Sequence, residues 1–403
     1  MYTSIVMNKP GMSIILVFAF FVGLSGVVQG SGSENDAESQ YVGMEVFHDK
    51  GCSSCHAING DGGRGGPDLG RRKYYGTHLE LAATMWSHFP KMQKKMSKKG
   101  EKFQPITEYE MSCLIDYLLF LRYRGEEGNS FRGRKLLKSM NCTQCHTFGG
   151  QGGDIGPNIS HKKEYLSPMA LAEAMWNHGP QMAELFAEHG IEQPYFVKDD
   201  FVDISAGIKS FMSPTVFPPH SFELGDADRG KLLVHEKGCT NCHDDTGSKN
   251  IGPGFEDMNF NYTVLEFAGR LWNHGPKMWE AMQDNTIQIP IFESGELGDI
   301  ITYIYKSKLE DKPGDAYHGK ELVSQKKCLD CHTLNGVGNN TARIDLAQIK
   351  ELNSPVSLIA KMWSHAPAMD EKLIEKQMDW PELSARDLAD LYSYLEELNS
   401  GTE

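Results

Sequence analysis

Four short clusters carry the reactive side chains of this chain: Cys52-Ser53-Ser54-Cys55-His56, Cys142-Thr143-Gln144-Cys145-His146, Cys239-Thr240-Asn241-Cys242-His243 and Cys328-Leu329-Asp330-Cys331-His332. Each is C-x-x-C-H, the spelling of c-type haem attachment. Two thiols three residues apart can each form a thioether to one vinyl group of the same porphyrin. The adjoining histidine is then held beneath the iron as proximal ligand. Zinc would need two cysteine pairs converging on one ion, and these pairs lie about ninety residues apart. A redox dithiol has no use for a histidine directly after its second cysteine. The ninth cysteine, Cys113, lies on the apolar stretch Met111-Ser112-Cys113-Leu114-Ile115 and reads as a buried thiol.

A second set of candidate ligands follows downstream. Trp86-Ser87-His88-Phe89-Pro90-Lys91-Met92 recurs as Trp176-Asn177-His178-Gly179-Pro180-Gln181-Met182, as Trp272-Asn273-His274-Gly275-Pro276-Lys277-Met278 and as Trp363-Ser364-His365-Ala366-Pro367-Ala368-Met369. The residue before a proline is biased out of helical geometry. The helix carrying Trp and His is therefore expected to end there and leave the methionine on a loop. On that ground Met92, Met182, Met278 and Met369 are the expected sixth ligands, opposite His56, His146, His243 and His332. The alternatives are His88, His178, His274 and His365 as ligands, with the methionines as core filler. Methionine would raise the haem potential relative to two histidines. The repeated tryptophan is expected to wall the haem crevice. Met96 and Met282, four residues on, recur in only two repeats and read as core.

These side chains need elements to hold them. The first cysteines are spaced 90, 97 and 89 residues apart, so the chain is an internal repeat of about ninety. Nine residues before each stand Gly43, Gly133, Gly230 and Gly319; five before stand Phe47, Leu137, Val234 and Val323. A glycine and an apolar residue one turn apart suit a helix packed closely on a partner at one point. Each repeat then runs through a glycine-rich loop into a helical segment such as Leu79 to Trp86. It closes on an acidic, apolar-periodic stretch such as Leu388 to Leu395. Strand-like alternation is almost lacking, which predicts an all-α chain. Gly60 to Gly65 spells G-x-G-x-x-G, but no strand precedes it, so it reads as a loop and not a dinucleotide site. Length alone allows two to four domains. The motifs set four, at 38–124, 130–213, 222–309 and 314–398, with linkers at Gly125 to Asn129, around Pro214, Pro218 and Pro219, and at Asp311 to Gly314.

With glycine and apolar residue before C-x-x-C-H, then Gly-Pro, then methionine, then a Tyr-Leu helix, each repeat resembles the class I cytochrome c domain. The resemblance covers residues 38 to about 398. It implies four tandem small helical domains strung as beads, each around one haem c bound covalently through thioethers, with histidine and methionine as axial ligands. It also implies that the proline carbonyl of Gly66-Pro67, Gly156-Pro157 and Gly252-Pro253 accepts a hydrogen bond from the proximal imidazole. Repeat 4 departs, with Ala342-Arg343 at that place. Repeat 2 departs in its last helix, where Ala206-Gly207-Ile208 replaces a Tyr-Leu pair and is expected to loosen it.

Charge narrows the partners. A formal charge of −14, with 40% hydrophobic and 23% charged residues, describes globular material and excludes a basic nucleic-acid footprint. Against that background Lys91, Lys94, Lys95, Lys98, Lys99 and Lys102 crowd around the first repeat's candidate ligands, as a solvated face or as a docking patch for an acidic partner. Haem attachment of this kind belongs outside the bacterial cytoplasm. Lys9 and the apolar run Ile14 to Val28, ending in Val28-Gln29-Gly30, have the form of a cleavable leader over residues 1–30. The run is short of the roughly 20 residues a span needs, so the mature chain is expected to carry no membrane span. The expectation is a periplasmic, membrane-associated or extracellular cytochrome that carries single electrons between a redox protein donor and acceptor, without catalysis of its own. A haem enzyme with one catalytic iron, repeat 4 being the candidate, and a subunit of an extracellular conduit are the alternatives.

Overall fold

The computed structural model describes residues 32–71, 76–124, 128–161, 167–212, 225–244, 251–255, 257–258 and 262–400. The expected leader, the linker prolines Pro214, Pro218 and Pro219, and residues 125–127 lie outside the described residues. Each repeat contributes three main helices. Repeat 1 has α1 (Gly32–Asp49), α2 (His78–Lys99) and α3 (Glu108–Arg124). Repeat 2 has α4 (Ser130–Ser139), the short turn α5 (Cys142–Cys145), α6 (Pro168–Glu188) and α7 (Asp200–Lys209). Repeat 3 has α8 (Ala227–Glu236), α9 (Val264–Asp284) and α10 (Glu296–Leu309), and repeat 4 has α11 (Ala316–Gln325), α12 (Pro355–Glu375) and α13 (Ala385–Ser400). The architecture is all-α; the strands among the described residues are two-residue hairpins, one directly behind each attachment motif of repeats 1, 2 and 4.

The middle helices start where capping chemistry says they should. Thr77 with Glu80, Thr263 with Glu266 and Ser354 with Ser357 form reciprocal capping boxes at α2, α9 and α12. First and last helices of each repeat cross at the expected glycine. A Cβ on Gly43, Gly133, Gly230 or Gly319 would stand 2.0, 1.7, 2.1 or 2.0 Å from the carbonyl oxygen of Cys113, Asp203, Asp299 or Asp390. No other residue permits that approach. In repeat 2 the partner is itself Gly207, where a Cβ would lie 2.7 Å from the Gly133 carbonyl carbon. The glycine expected to loosen α7 lets two backbones touch.

The bead arrangement does not hold. The buried apolar side chains of the described residues form two clusters, one drawn from repeats 1 and 4, the other from repeats 2 and 3 with Tyr123 of α3 reaching in. Helix α2 packs on α12 and α13, and α6 on α9. The physical reason is the apolar face each middle helix presents beside its tryptophan, which pairing takes out of water. The linker between repeats 3 and 4 is a joint in this packing. Asp311 accepts from Leu79 N at 3.0 Å and from the Thr77 hydroxyl, and His78 Nδ1 donates to Leu309 O at 2.9 Å, so repeat 4's tether caps repeat 1's helix. His78 Nε2 also lies 3.3 Å from Asp116.

Candidate functional site

The attachment motif forms the same tight turn four times. His56, His146, His243 and His332 each donate their backbone N–H to the carbonyl of the first cysteine at 2.9 Å. The glycine-rich loop then folds back over the turn, with Gly63 N to Ser53 O at 2.9 Å, Gly153 N to Thr143 O at 3.0 Å and Asn339 N to Leu329 O at 2.9 Å. All eight motif cysteines are free. Burial pushes the thiols of Cys52, Cys142, Cys239 and Cys328 up to about 11, so they are held as thiols. That is the form whose S–H adds across a vinyl double bond, sulfur to one carbon and hydrogen to the other. Among the described residues no three His, Cys, Asp or Glu side chains gather as a metal-only site requires.

The imidazoles of the attachment motifs are locked from behind in three repeats. Nδ1 of His56, His146 and His243 donates to the carbonyl of Pro67, Pro157 and Pro253 at 3.0, 3.1 and 2.9 Å. A carbonyl can only accept, so the proton sits on Nδ1 and Nε2 is left as the electron-pair donor. The preceding glycine makes room: a Cβ on Gly66, Gly156 or Gly252 would fall 2.3, 2.5 or 2.6 Å from the ring. Repeat 4 keeps the loop, since Ala342 N meets Cys331 O at 2.8 Å as Gly66 N meets Cys55 O at 2.7 Å. It does not keep the lock. A Cβ occupies Ala342, Arg343 takes a positive φ of 55° that proline cannot adopt, and the buried His332 has no proline carbonyl behind its ring.

Opposite the motif, one expectation is corrected. Pro90, Pro180, Pro276 and Pro367 lie inside α2, α6, α9 and α12, which continue for more than a turn beyond them. Met92, Met182, Met278 and Met369 are therefore helical and not on loops, one turn beyond His88, His178, His274 and His365. An internal proline orphans the carbonyl four residues earlier. For Pro90 that is Trp86 O, and Trp380 Nε1 of repeat 4 donates to it at 3.1 Å, so the partner repeat mends the helix. In repeat 2, His178 and Met182 line one crevice with Cys142, Cys145 and His146. In repeat 4 the rings of His332 and His365 meet edge to face, with centroids 6.1 Å apart and planes at 77°. Burial lowers the pKa of His146, His274 and His332, and the facing rings of His178, His243 and His365 push the same way. Neutral imidazole is the metal-binding form.

In repeat 2 the tryptophan does not line its own crevice. Trp86, Trp176 and Trp272 donate Nε1 to Pro381, Pro290 and Pro194 O of the paired repeat at 2.7, 2.9 and 2.8 Å. Trp272, from repeat 3, lines the crevice of repeat 2 beside Pro194 and Phe196. The crevice of repeat 2 is thus built with help from its pair. Reasoning on the sequence missed these acceptors, along with Asn177 and Asn273. The signal was present: Trp-Asn-His-Gly-Pro stands in repeats 2 and 3, Trp-Ser-His in repeats 1 and 4.

Around repeat 1 the six lysines are exposed. Two fold onto the attachment loop, Lys99 Nζ on Ser54 O at 2.9 Å and Lys95 on Gly65 O. Lys91, Lys94 and Lys98 are carried by the same helix, α2, and Lys102 follows it. No described helix is long and apolar enough to cross a membrane.

The family model for Cytochrome c matches residues 42–122 and 316–399, which are repeats 1 and 4. No curated protein and no solved structure matches the chain. The two matched stretches are c-type cytochrome domains, and such domains carry covalently bound haem c and serve haem-based electron transfer.

Proposed function

We propose that the whole chain is an exported tetrahaem cytochrome that passes single electrons between a donor and an acceptor protein, its four haems grouped as the pairs 1 with 4 and 2 with 3. One observation carries this reading: the attachment turn, with its 2.9 Å histidine-to-cysteine bond, recurs in all four repeats, including the two the family model does not match. Cys52 and Cys55, Cys142 and Cys145, Cys239 and Cys242, and Cys328 and Cys331 would hold the porphyrins, with His56, His146, His243 and His332 below the irons. When bound, the haem supplies a reversible one-electron couple. One electron enters from a reduced partner and leaves to an oxidised one, with no bond made or broken. The protein orients the ring, fixes the imidazole tautomer and excludes water.

Intact mass and pyridine haemochrome analysis of exported protein test the count. Four haems per chain is the expected result, and two would confine attachment to repeats 1 and 4. The lysines give the partner its sign: an acidic redox protein docking at repeat 1 should reduce or oxidise the chain more slowly as ionic strength rises. A rate flat in salt would remove that docking surface.

A haem enzyme with its centre in repeat 4 is the second reading, because His332 lacks the proline-carbonyl bond that holds His56, His146 and His243. Binding of carbon monoxide to one haem of the isolated protein would select it.

A further inference from the structure

Each middle helix carries two side chains able to bind iron, a histidine and a methionine one turn later, and residues four apart share a helix face. We infer that the histidine is the sixth ligand: His365 in repeat 4 and, by the matching place each holds on its middle helix, His88, His178 and His274. This rests on the haem reading proposed above and departs from the methionine ligation that the sequence pattern suggests.

Three observations carry it. The first is spacing. The 6.1 Å between the ring centres of His332 and His365 is what two metal–nitrogen bonds of about 2 Å, plus the half-depth of each ring, would span. The second is tautomer. Nδ1 of His88, His178 and His365 donates to the carbonyl one turn back, Thr84 O at 3.1 Å, Ala174 O at 2.8 Å and Lys361 O at 2.8 Å. Those acceptors hold the proton on Nδ1 and free Nε2, the backing that ligating histidines show and that the proximal rings have from their prolines. A histidine merely capping a helix end would not need it, and these lie mid-helix. The third is the fate of the methionines. Met92 and Met369 pack against the core shared by repeats 1 and 4, and Met182 and Met278 against that of repeats 2 and 3. Their thioethers have a packing role without iron.

The helix running on through its proline is what makes this arrangement. A chain that broke at Pro367 would put Met369 on a loop, free to reach an iron. The unbroken helix instead fixes His365, whose ring centre lies 6.1 Å from that of His332.

The test uses exported, haem-loaded, full-length protein. A haem count comes first, followed by near-infrared magnetic circular dichroism and electron paramagnetic resonance of the oxidised form. The expected result is a bis-imidazole signature for every haem and no sulfur-to-iron charge-transfer band. These spectra should not change when Met92, Met182, Met278 and Met369 are all replaced by leucine, a swap that nearly conserves volume. His365→Ala should open one haem in four to carbon monoxide. A sulfur-to-iron band in the unmodified protein, lost in the leucine variant, would overturn the inference while leaving the electron-transfer reading intact. Absence of covalent haem would overturn both. Should His365→Ala fail to fold, the unmodified protein and its leucine variant decide the matter alone.

Discussion

Repeats 2 and 3 meet reciprocally, and repeats 1 and 4 do not. In the inner pair Trp176 reaches Pro290 and Trp272 reaches Pro194. Asn177 both donates to and accepts from the backbone of Phe292, at 2.8 and 2.9 Å, and Asn273 does the same with Phe196, at 2.7 and 2.8 Å. Two glycines, Gly179 and Gly275, leave room for the Trp279 indole between the crossing helices; a Cβ on either would lie 2.3 or 2.9 Å from it. In the outer pair serines replace the asparagines, and a single bond, Ser364 Oγ to Ile106 O at 3.0 Å, stands for the amide exchange. Phe89 and Ala366 replace the glycines, and Phe89 stacks on Trp380 at 5.3 Å while Trp86 meets it at 4.5 Å. One motif thus supports two kinds of joint, one that reads backbone through amides and one that stacks rings on one side. The difference also sorts the partners, because a phenylalanine at the place of Gly179 would collide with Trp279 and leave the Asn177 amide without its exchange.

The strongest way to break this contrast is to remove an indole from the inner joint. Trp272 is 5% exposed, packs in the repeat 2–3 core, lines the crevice of repeat 2 and closes a hydrogen bond across the pair. Trp272→Ala should cost about 3–5 kcal/mol of stability in denaturant titration and perturb the optical spectrum of the haem proposed for repeat 2. Because the two cores are separate clusters, the loss should fall on repeats 2 and 3 first. A loss below about 1 kcal/mol would mean that the indole is not the joint.

A finer cut compares the amides with the serine. Asn177→Ala strips the Phe292 N–H and C=O of their partner inside the interface, at a cost of about 1–3 kcal/mol. Ser364→Ala removes one donor from one carbonyl and should cost about 0.5–1.5 kcal/mol. Equal losses in the two variants would erase the distinction between the pairs.

Much of this was legible in the chain, and what was not has a common cause. The attachment turns, the crossing glycines Gly43, Gly133, Gly230 and Gly319, and the proline locks behind three imidazoles depend on residues within one repeat, so spacing exposes them. The pairing of repeats depends on partners about 80 to 295 positions away, such as Trp86 with Pro381, and no periodicity within a repeat reports it. The helix break expected at Pro90 failed for the same reason. Local geometry disfavours helix before proline, but the orphaned Trp86 carbonyl finds Trp380 from the far end of the chain. Where a tertiary partner repairs a local defect, sequence shows only the defect.

The smallest expected effect separates the pairs by acid. Asp299 and Asp390 hold the same place, where the last helix meets the first, in repeats 3 and 4. Burial raises the carboxyl of Asp299 above its ordinary 3.8, with Asp226 and Glu296 adding to the rise and the Asp226 N–H and Arg229 opposing it. Burial acts on Asp390 too, but the His318 ring at 2.6 Å, the Asp315 N–H and Arg386 outweigh it and hold the carboxyl below 3.8. His318 is raised in turn, first by its bond to Asp390 and then by the charges of Asp390, Asp387 and Glu321. The signs follow from which state binds more protons. For Asp299 the folded state holds its proton to higher pH, so repeats 2 and 3 should gain stability as pH falls from neutral through its raised pKa. For Asp390 the contribution is full above 3.8 and is lost as pH falls through its lowered pKa; for His318 it is full below 6.5 and is lost as pH rises through its raised one. Repeats 1 and 4 should therefore be steadiest between those limits. Unfolding midpoints of Asp390→Asn and Asp299→Asn across pH give the check: the first should flatten both limbs for repeats 1 and 4, the second the acid gain of repeats 2 and 3. If Asp299→Asn instead flattened the alkaline limb, the two crossings would not be the independent sites their partners make them.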